Sequence, residues 1–485
     1  MSKSVLLDSA GLACYIAWSF VFWNGSLLFG GAHQGAFVGN LFVWQGAMTA
    51  LTALLLVLSV GKTAPLQKRK ALLGVFAVLS SVAVVATALV GYQSAPFEYM
   101  IAGFALSGIG STLRLGWEER LTMQGVSRTA LCAGLAYLFG FILFAIVSLM
   151  PVLPALGVSA ALPFGAFACL LVANKRRNEP SELPSGEADS RGTQGCRAVG
   201  MSVDSERNDI SLKAGRAAGL KSLLPGIPWK LVVAIALAYF SYGATRIGGV
   251  MGGLAASDAG HVAVAGVPAL GCLVAIALAF FFYRKNALIA FYIAFPLMAL
   301  ASLLPSGIDP LGGSTTFCVA LVGAELVKYL VWFLMIDTII KDGVSALLCL
   351  ALMRFAQWLG SCLGQVAADA LPTQEALTIA ILVSLMAALL VIMGSPFSGK
   401  GFAGARTGGG SDLGFRVAEV SRSFGLSPRE EEVLSIWATG HSGAYIEKKL
   451  FISKSTVKTH LNHIYAKTGT GNREELLELL DSFEK

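Results

Sequence analysis

The sequence predicts an all-α protein in which a polytopic membrane bundle of six plus six transmembrane helices is followed by a small domain of four helices. Composition is the first reason: 55% of the 485 residues are hydrophobic and only 13% are charged, whereas soluble chains carry about 25% charged residues. The second reason is the presence of twelve apolar runs close to the ~20 residues that cross a bilayer as a helix. The third is the C-terminal stretch 413–485, which is charged and amphipathic.

The apolar runs form two sets of six, and these give the domain boundaries. The first set lies at residues 10–31, 41–60, 71–91, 99–117, 130–149 and 152–173, and the second at 229–247, 262–283, 286–304, 316–340, 345–370 and 375–394. The stretch between the sets is polar and lacks apolar periodicity, which is typical of disorder, and a Gly/Ser-rich segment follows the second set. The predicted domains are transmembrane half 1 (1–173), a cytoplasmic disordered loop (174–228), transmembrane half 2 (229–394), a flexible linker (395–412) and a C-terminal domain (413–485).

Lys and Arg residues are distributed unevenly among the loops. They occur in the loop 61–70, in the fourth connection, throughout the central stretch and after the last run. The alternate loops contain neither residue type: 32–40, 92–98, 248–261, 305–315 and 371–374. Basic residues mark the cytoplasmic side of a membrane protein. We therefore expect a multi-pass protein of the cell membrane whose termini and central loop are cytoplasmic.

The order of six spans, a long cytoplasmic loop and six more spans resembles the outline of the major facilitator superfamily over residues 1–395. That superfamily usually carries a Gly-x-x-x-Asp-Arg-x-Gly-Arg-Arg-like motif between its second and third spans, where the motif serves conformational switching. Here the loop 61–70 is GKTAPLQKRK, which keeps the basic end but lacks the Asp and the second Gly. The resemblance implies the fold, and the departure argues against active transport.

Capping signatures divide residues 413–485 into helices. The segments 427–430 (SPRE) and 472–475 (NREE) each place a capping side chain three residues before a Glu, which is the pattern of a capping box. Two further helices are predicted over about 443–450 and 454–468, the second capped by Ser453. Its buried stripe consists of Val457, Leu461 and Ile464. Two short helices around a tight turn, followed by a basic element, form a helix-turn-helix pattern.

This part of the chain resembles the LuxR-type DNA-binding domain. The resemblance rests on LSPREEEVL at 426–434, LFISKSTVKTHL at 450–461 and NREEL at 472–476, with all four helices in register. The second helix departs from the family pattern, because Tyr445 stands at the acidic capping position and Glu447 at a small packing position. The resemblance implies a domain that binds duplex DNA, usually as a homodimer on paired half-sites.

The third helix of this domain carries the candidate DNA contacts. Lys458, Thr459 and Asn462 are predicted to point away from the apolar stripe into the major groove, where Lys reaches guanine and Asn pairs with adenine. The residues expected at phosphates are Lys454, Thr456, His460 and Lys467. The domain has ten basic and ten acidic residues, yet five Lys and a single Glu lie within 447–467. Such a basic face on a neutral domain is typical of phosphate binding.

Charged side chains within the apolar runs form a candidate sensing site. Glu325 and Lys328 lie three residues apart on one face of the tenth run, and Arg354 and Gln357 lie at mid-depth of the eleventh. Charges at such a depth usually face a bundle interior or a cavity. Two interpretations stay open: the four residues sense a ligand or a proton, or a Glu–Lys/Arg cluster holds two helices in register.

No catalytic or metal-binding pattern occurs in the sequence, which has no nucleophile elbow, P-loop, metalloprotease motif or Cys-x-x-Cys pair. We therefore expect no enzyme activity, no metal and no cofactor. The sequence favours a membrane-embedded, one-component transcription regulator that senses an unknown small molecule through its bundle and binds duplex DNA. The alternatives are a transporter with an appended regulatory domain and a membrane anchor that only holds a regulator at the bilayer.

The distribution of Lys and Arg leads to a topology prediction. A reporter fused after Lys485 or within 180–220 should report the cytoplasm, and a reporter within 305–315 should report the exterior, because only the first two positions lie on the basic side. Paired fusions of alkaline phosphatase and green fluorescent protein measure both signals. An exterior signal from the Lys485 fusion would exclude DNA binding in the cell.

Overall fold

The protein is described by a computed structural model that covers residues 3–23, 36–93, 98–178, 226–250, 258–285, 287–303, 314–371, 373–393, 410–438, 442–450 and 452–482. The chain divides into two compact units, Met1–Ser398 and Gly399–Lys485. Most of the predicted disordered loop 174–228 and of the predicted linker 395–412 lies outside the described residues.

The first unit is built from helices, most of which are long and apolar. In its first half these are α1 (Lys3–Trp23), α2 (Ala36–Leu58), α3 (Lys70–Gln93), α4 (Glu98–Gly110), α5 (Leu113–Thr122), α6 (Val126–Ser148) and α7 (Val152–Asn178). In its second half they are α8 (Trp229–Val250), α9 (Asp258–Lys285), α10 (Ala287–Leu303), α11 (Ser314–Asp342), α12 (Ala346–Ala370) and α13 (Gln374–Met393). Eight helices in the described ranges are long and apolar enough to cross a membrane, and two shorter apolar helices occur at Trp229–Thr245 and Ile289–Leu303.

Within the described residues the twelve predicted runs overlap these helices, with three corrections, and residues 24–31 of the first run lie outside the described part of the chain. Helix α1 begins at Lys3 rather than near residue 10, and α7 continues to Asn178, past the predicted boundary at 173. The fourth run is divided into α4 and α5 by a turn at Ser111 and Thr112, although hydrogen bonds such as Leu115 N–H to Thr112 O (2.9 Å) continue through it. Helix α5 extends the fourth run beyond 117, because its last turns bury polar side chains among other helices rather than expose them to lipid.

One face of the bundle is apolar and exposed, as a bilayer requires. Helix α13 shows it clearly: Ile379, Val383, Met386 and Leu390 recur every three or four residues and are each 58–63% exposed. A row of large apolar side chains at helical spacing is stable in lipid and unfavourable in water. The protein is therefore a multi-pass membrane protein.

Helix α12 is the centre of the bundle and packs against α8 in its own half and against α2 in the other. Small residues permit the contact between α12 and α8. A Cβ atom on Gly360 would lie 2.1 Å from the carbonyl oxygen of Ala236, and one on Gly364 would lie 2.0 Å from that of Phe240. Backbones this close exclude any side chain, which is the usual role of small residues between membrane helices. The halves also meet where α6 packs against α9.

The second unit contains five helices: α14 (Gly410–Ser423), α15 (Pro428–Ala438), α16 (Gly443–Leu450), α17 (Lys454–Thr468) and α18 (Arg473–Ser482). The sequence predicts the last four, whereas α14 is an addition that begins within the predicted linker and packs against α15 and α18. The core consists of Val417, Val420, Val433, Leu434, Ile436, Ile446, Val457, Ile464, Leu476 and Leu480. Two of these core residues, Val417 and Val420, come from α14, so this helix completes the hydrophobic core.

Candidate DNA interface and buried charges of the bundle

Helix α15 begins with the capping box that the sequence predicts. The Glu430 carboxylate accepts a 2.7 Å hydrogen bond from the backbone N–H of Ser427, and the Ser427 hydroxyl accepts one of 3.3 Å from the N–H of Glu430. At α18 the N-cap half of the predicted box is present, with Glu475 N–H donating to the Asn472 side chain at 2.9 Å, while the Glu475 carboxylate accepts from Gly471 N–H at 2.7 Å instead of from Asn472 N–H. These bonds satisfy N–H groups that a helix start leaves free.

Helix α17 is fixed at both ends. The hydroxyl of Ser453 accepts a 3.1 Å hydrogen bond from Thr456 N–H and caps the first turn. At the other end Gly469 adopts φ 71°, in the left-handed region that favours glycine, and closes the helix. Val457 and Ile464 are buried, and Leu461 is partly buried against the same core. The predicted stripe is therefore the inner face of α17.

The opposite face of α17 presents the predicted DNA contacts. Lys458, Thr459 and Asn462 are exposed, and so is Lys454, whereas Thr456 and His460 are half-buried. The Thr459 hydroxyl donates to Ser455 O at 3.0 Å, so its free capacity is as an acceptor. A face of free ammonium and amide groups on a capped helix has the chemistry that reads base edges and binds phosphates.

Lys467, a predicted phosphate contact, is exposed and also makes contacts within the domain. Its ammonium group donates to the Glu430 carboxylate at 2.7 Å and to the Gly425 carbonyl at 3.1 Å, so it ties the end of α17 to the start of α15. Burial by itself would raise the pKa of Glu430, but hydrogen bonds from Lys467 and Ser427 outweigh it and lower this pKa to about 2. The ammonium expected at a phosphate is thus engaged within the fold.

The helix-turn-helix pair is joined to its neighbours by polar contacts. Arg429 donates to Leu450 O at 2.8 Å and so holds the end of α16 against α15. Trp437 donates to the Tyr465 hydroxyl at 3.0 Å. The guanidinium of Arg473 lies 4.5 Å from the centre of the Trp437 ring and donates to the Trp437 carbonyl at 2.8 Å. The orientation of α17 in the domain is therefore set by more than its apolar stripe.

The predicted sensing residues of the bundle fall into two ionic groups. Glu325 and Lys328 on α11 are buried and joined by a salt bridge. The Glu325 carboxylate also accepts from the Tyr239 hydroxyl of α8 at 3.2 Å and from the Cys272 thiol of α9 at 3.7 Å. This group therefore joins three helices of the second half.

Arg354 belongs to the other group, whose centre the sequence analysis missed. Its guanidinium donates to the Glu118 carboxylate of α5 at 2.6 Å, and Arg114 donates to the same oxygen at 2.7 Å. Glu118 and Arg354 thus form an ion pair between the two halves. Gln357 is buried one turn beyond Arg354, and its side-chain oxygen has no hydrogen-bond partner among the described residues. In the sequence the apolar run ends at 117, which places Glu118 in the connection that follows.

A third polar network, also missed, lies where α1, α5 and α7 meet. Arg120 donates to Asp8 at 2.9 Å and to the Asn174 side chain at 2.9 Å. Asn174 donates in turn to the Gln67 carbonyl at 2.7 Å, and the Gln67 N–H donates to Glu119 at 2.8 Å. The one available signal was the density of charge at 118–120, directly after an apolar run.

The described ranges hold no group of three or more His, Cys, Asp or Glu arranged for a metal ion.

Comparison with known sequences identifies the C-terminal domain. The model of the luxR family of bacterial regulatory proteins (GerE) matches residues 425–480. An HTH-type transcriptional regulator of Mycobacterium bovis (strain ATCC BAA-935 / AF2122/97) is 42% identical over 59 residues, which are 12% of this chain and 7% of that protein. The HTH-type transcriptional regulator MalT of Yersinia pestis (strain Pestoides F) is 33% identical over 63 residues, 13% of this chain and 7% of that protein. The match spans only a small part of these relatives, and it confirms a LuxR-type DNA-binding domain.

Comparison with solved structures concerns the bundle. The human organic anion transporter MFSD10 (TETRAN) superposes with a TM-score of 0.53 at 15% identity, covering 81% of this chain and all of that one. A bacterial homologue of the iron transporter ferroportin, in its outward-facing state, gives 0.51 at 13% identity and covers 82% of this chain. At this identity the likeness shows the fold alone. The predicted major-facilitator-like architecture is confirmed.

The exposed face of α17 leads to a prediction for the compact unit 399–485. Lys458→Ala or Asn462→Ala should weaken the free energy of binding to the preferred DNA site by roughly 1–3 kcal/mol and reduce the preference for particular bases there. Lys454→Ala should weaken binding to all DNA sequences alike. It should also reduce the slope of log affinity against log salt concentration by about 1, as expected for the loss of one phosphate contact. Arg422→Ala, which removes an exposed cation from α14, is the matched control and should change neither. Electrophoretic shift on specific and random DNA across salt concentrations measures both. Equal losses on both DNAs for Lys458→Ala and Asn462→Ala would contradict base reading.

The pair of Glu430 and Lys467 leads to a pH prediction. Because the folded pKa of Glu430 is about 2 and its ordinary value is 4.5, ionised Glu430 stabilises the domain above pH 4.5, and this stability is lost as pH falls toward 2. Glu430→Gln should lower the free energy of unfolding at neutral pH by about 1–3 kcal/mol and flatten its decline in acid. Glu432→Gln, whose ion pair with Arg429 lies at the surface, should have little effect. Urea unfolding measured from pH 7 to pH 2 gives the free energy of unfolding as a function of pH. If this free energy declined in parallel for wild type and Glu430→Gln, the prediction would be wrong.

Proposed function

We propose that this chain is a one-component transcription regulator whose membrane bundle senses a small molecule and whose C-terminal domain binds DNA. The observation that carries the proposal is the presence of a LuxR-type domain at 425–480 and a major-facilitator-like bundle in one polypeptide. The alternation of Lys and Arg between loops supports a cytoplasmic DNA-binding domain. No kinase or receiver domain is evident in the sequence, so the signal would come from the bundle itself.

On the DNA side, α17 would lie in the major groove. The exposed Lys458 and Asn462 would contact base edges, and Lys454, Thr456 and His460 would contact the backbone. The DNA-binding domain would act as a homodimer on paired half-sites, as is usual for LuxR-type domains. Lys467 donates to Glu430, but its side chain is 40% exposed, so its ammonium would still reach a phosphate.

On the membrane side, the ion pair of Glu118 with Arg354 would be the contact that distinguishes two bundle conformations. The hydrogen bond from Trp332 of α11 to Thr122 of α5, at 2.9 Å, is a second polar tie between the halves. A ligand shifts such an equilibrium only through a difference in affinity for the two states. We infer that the ligand contacts Glu325, Lys328, Arg354 or Gln357 and changes the strength of these ties.

The alternative function is a transporter with an appended regulatory domain. The fold of the bundle is compatible with it, since both solved neighbours are related to transporters. The altered loop 61–70, which lacks the Asp of the switching motif, favours the regulator. Uptake of a labelled ligand into proteoliposomes separates the two, because a regulator binds without accumulating its ligand.

The test of the proposal begins with a transcript profile of a deletion strain exposed to candidate small molecules, which identifies a responsive promoter. Glu325→Gln and Lys328→Met each leave one buried charge unpaired and should reduce protein level, at a cost of several kcal/mol. The double variant removes both charges and should accumulate normally while losing the ligand response of that promoter. DNA affinity of the double variant serves as the control and should be unchanged. A normal response from the double variant would assign the pair a purely structural role.

A further inference from the structure

A basic cavity lies between α2 and α3. It has a volume of 460 Å³ and is lined by Lys62, Thr63, Lys68, Arg69, Lys70, Ala71 and Leu72. Four of these seven residues carry a positive charge, and none is acidic. The four cations lie in the loop 61–70, which keeps only the basic end of the switching motif, so the motif's usual Asp is not there to neutralise them.

These four cations have no carboxylate partner at salt-bridge distance among the described residues. The guanidinium of Arg69 donates to the carbonyl oxygen of Lys62, which closes the loop on itself. Lys68 interacts electrostatically with Glu119, but that carboxylate is buried and accepts the Gln67 N–H. The four side chains are exposed and lie at one edge of the bundle. Positive potential therefore accumulates in the cavity with no carboxylate in its lining.

The start of α3 adds hydrogen-bond donors to the same cavity. The first backbone bond of this helix runs from Leu73 N–H to Arg69 O at 3.0 Å, so the N–H groups of Lys70, Ala71 and Leu72 precede the helical ladder. No acidic side chain occupies the first turn. These three residues also line the cavity. Free N–H groups and the positive end of a 24-residue helix dipole reinforce the attraction for an anion.

The loop that carries the cations is held in place from its inner side. Leu66 and Gln67 are buried. The Gln67 N–H is bound by Glu119 at 2.8 Å and its carbonyl by Asn174 at 2.7 Å, so helices α5 and α7 fix its backbone. A loop fixed in this way keeps its cations together before any ligand arrives. Such preorganisation lowers the entropic cost of binding.

We infer that this cavity binds the phosphate group of an anionic ligand. Several cations, including one Arg, and free N–H groups at a helix start match a phosphate, which carries several acceptor oxygens. The loop joins the apolar windows Leu41–Leu58 and Lys70–Val90, so it lies where a bilayer presents its headgroups. The phosphate therefore belongs to an anionic lipid or to a soluble phosphorylated compound. The site is independent of the proposed sensing function.

Ligand binding to the full-length protein in neutral detergent tests the inference. The two probes are short-chain phosphatidylglycerol and inorganic phosphate, each at constant ionic strength, with short-chain phosphatidylcholine as the neutral comparison. The readout is the apparent affinity from the rise in unfolding temperature with probe concentration. Phosphatidylglycerol alone would identify a lipid site, and inorganic phosphate alone would identify a site for a soluble compound. The inference would be overturned if neither probe raised the unfolding temperature, or if phosphatidylcholine raised it equally.

Variants decide whether binding occurs at this cavity. The double variant Lys68→Gln/Arg69→Gln should lower the affinity for the bound probe by a factor of at least about ten, since two charge-assisted hydrogen bonds are lost. Should that protein be unstable, Lys62→Gln/Lys70→Gln removes two other lining cations and should give a similar loss. Arg284→Gln/Lys285→Gln makes the same charge change at the end of α9, where the cations lie over Phe rings, and should bind like wild type. Equal losses in the control and the cavity variants, or no loss in either, would contradict a specific site.

Discussion

A charge buried among membrane helices must find a partner inside the protein, because lipid offers none. Helix α5 shows how this constraint organises the bundle. Its neighbouring residues Glu118 and Glu119 have different partners. Glu118 pairs with Arg354 in the other half, and Glu119 accepts a hydrogen bond from the Gln67 N–H in the loop 61–70. Arg120, the next residue, pairs with Asp8 of α1. One short helix therefore supplies the carboxylates and the guanidinium on which three separate contacts depend.

The same constraint bears on conformational change. Buried ion pairs add little net stability compared with apolar packing, but the loss of one partner is strongly unfavourable. The tie between Glu118 and Arg354 therefore favours either a fully paired state or one in which both groups are supplied with other partners. The ion pair of Glu325 with Lys328 obeys the same rule within the second half. Polar ties of this kind suit a bundle with discrete arrangements.

In the C-terminal domain, water replaces lipid and the constraint is local. Each helix start must satisfy its free N–H groups, and Ser427, Ser453 and Asn472 do so with their own side chains. Near the end of α17, the exposed Lys467 donates to Glu430 of α15, and His463 lies 3.5 Å from the same carboxylate. Lys458 and Asn462 are exposed on the outer face of this helix. Lys458 and Asn462 are thereby available for a partner outside the protein.

Apolar length, capping residues and loop charge act locally along the chain, so the sequence specifies the helices and their order. The apolar runs, the N-terminal caps of α15 and α18 and the inner stripe of α17 are all predicted from it. Which charges meet depends on how the helices pack. Arg354 pairs with Glu118, 236 positions away, rather than with Glu325, and the exposed Lys467 also donates to Glu430. Most of α14 lies in the predicted domain 413–485, but its helix and its place in the core appear only in the packing. The physical reason is that a charge or an apolar face is satisfied by whichever group the fold brings near, and spacing along the sequence carries no record of that proximity.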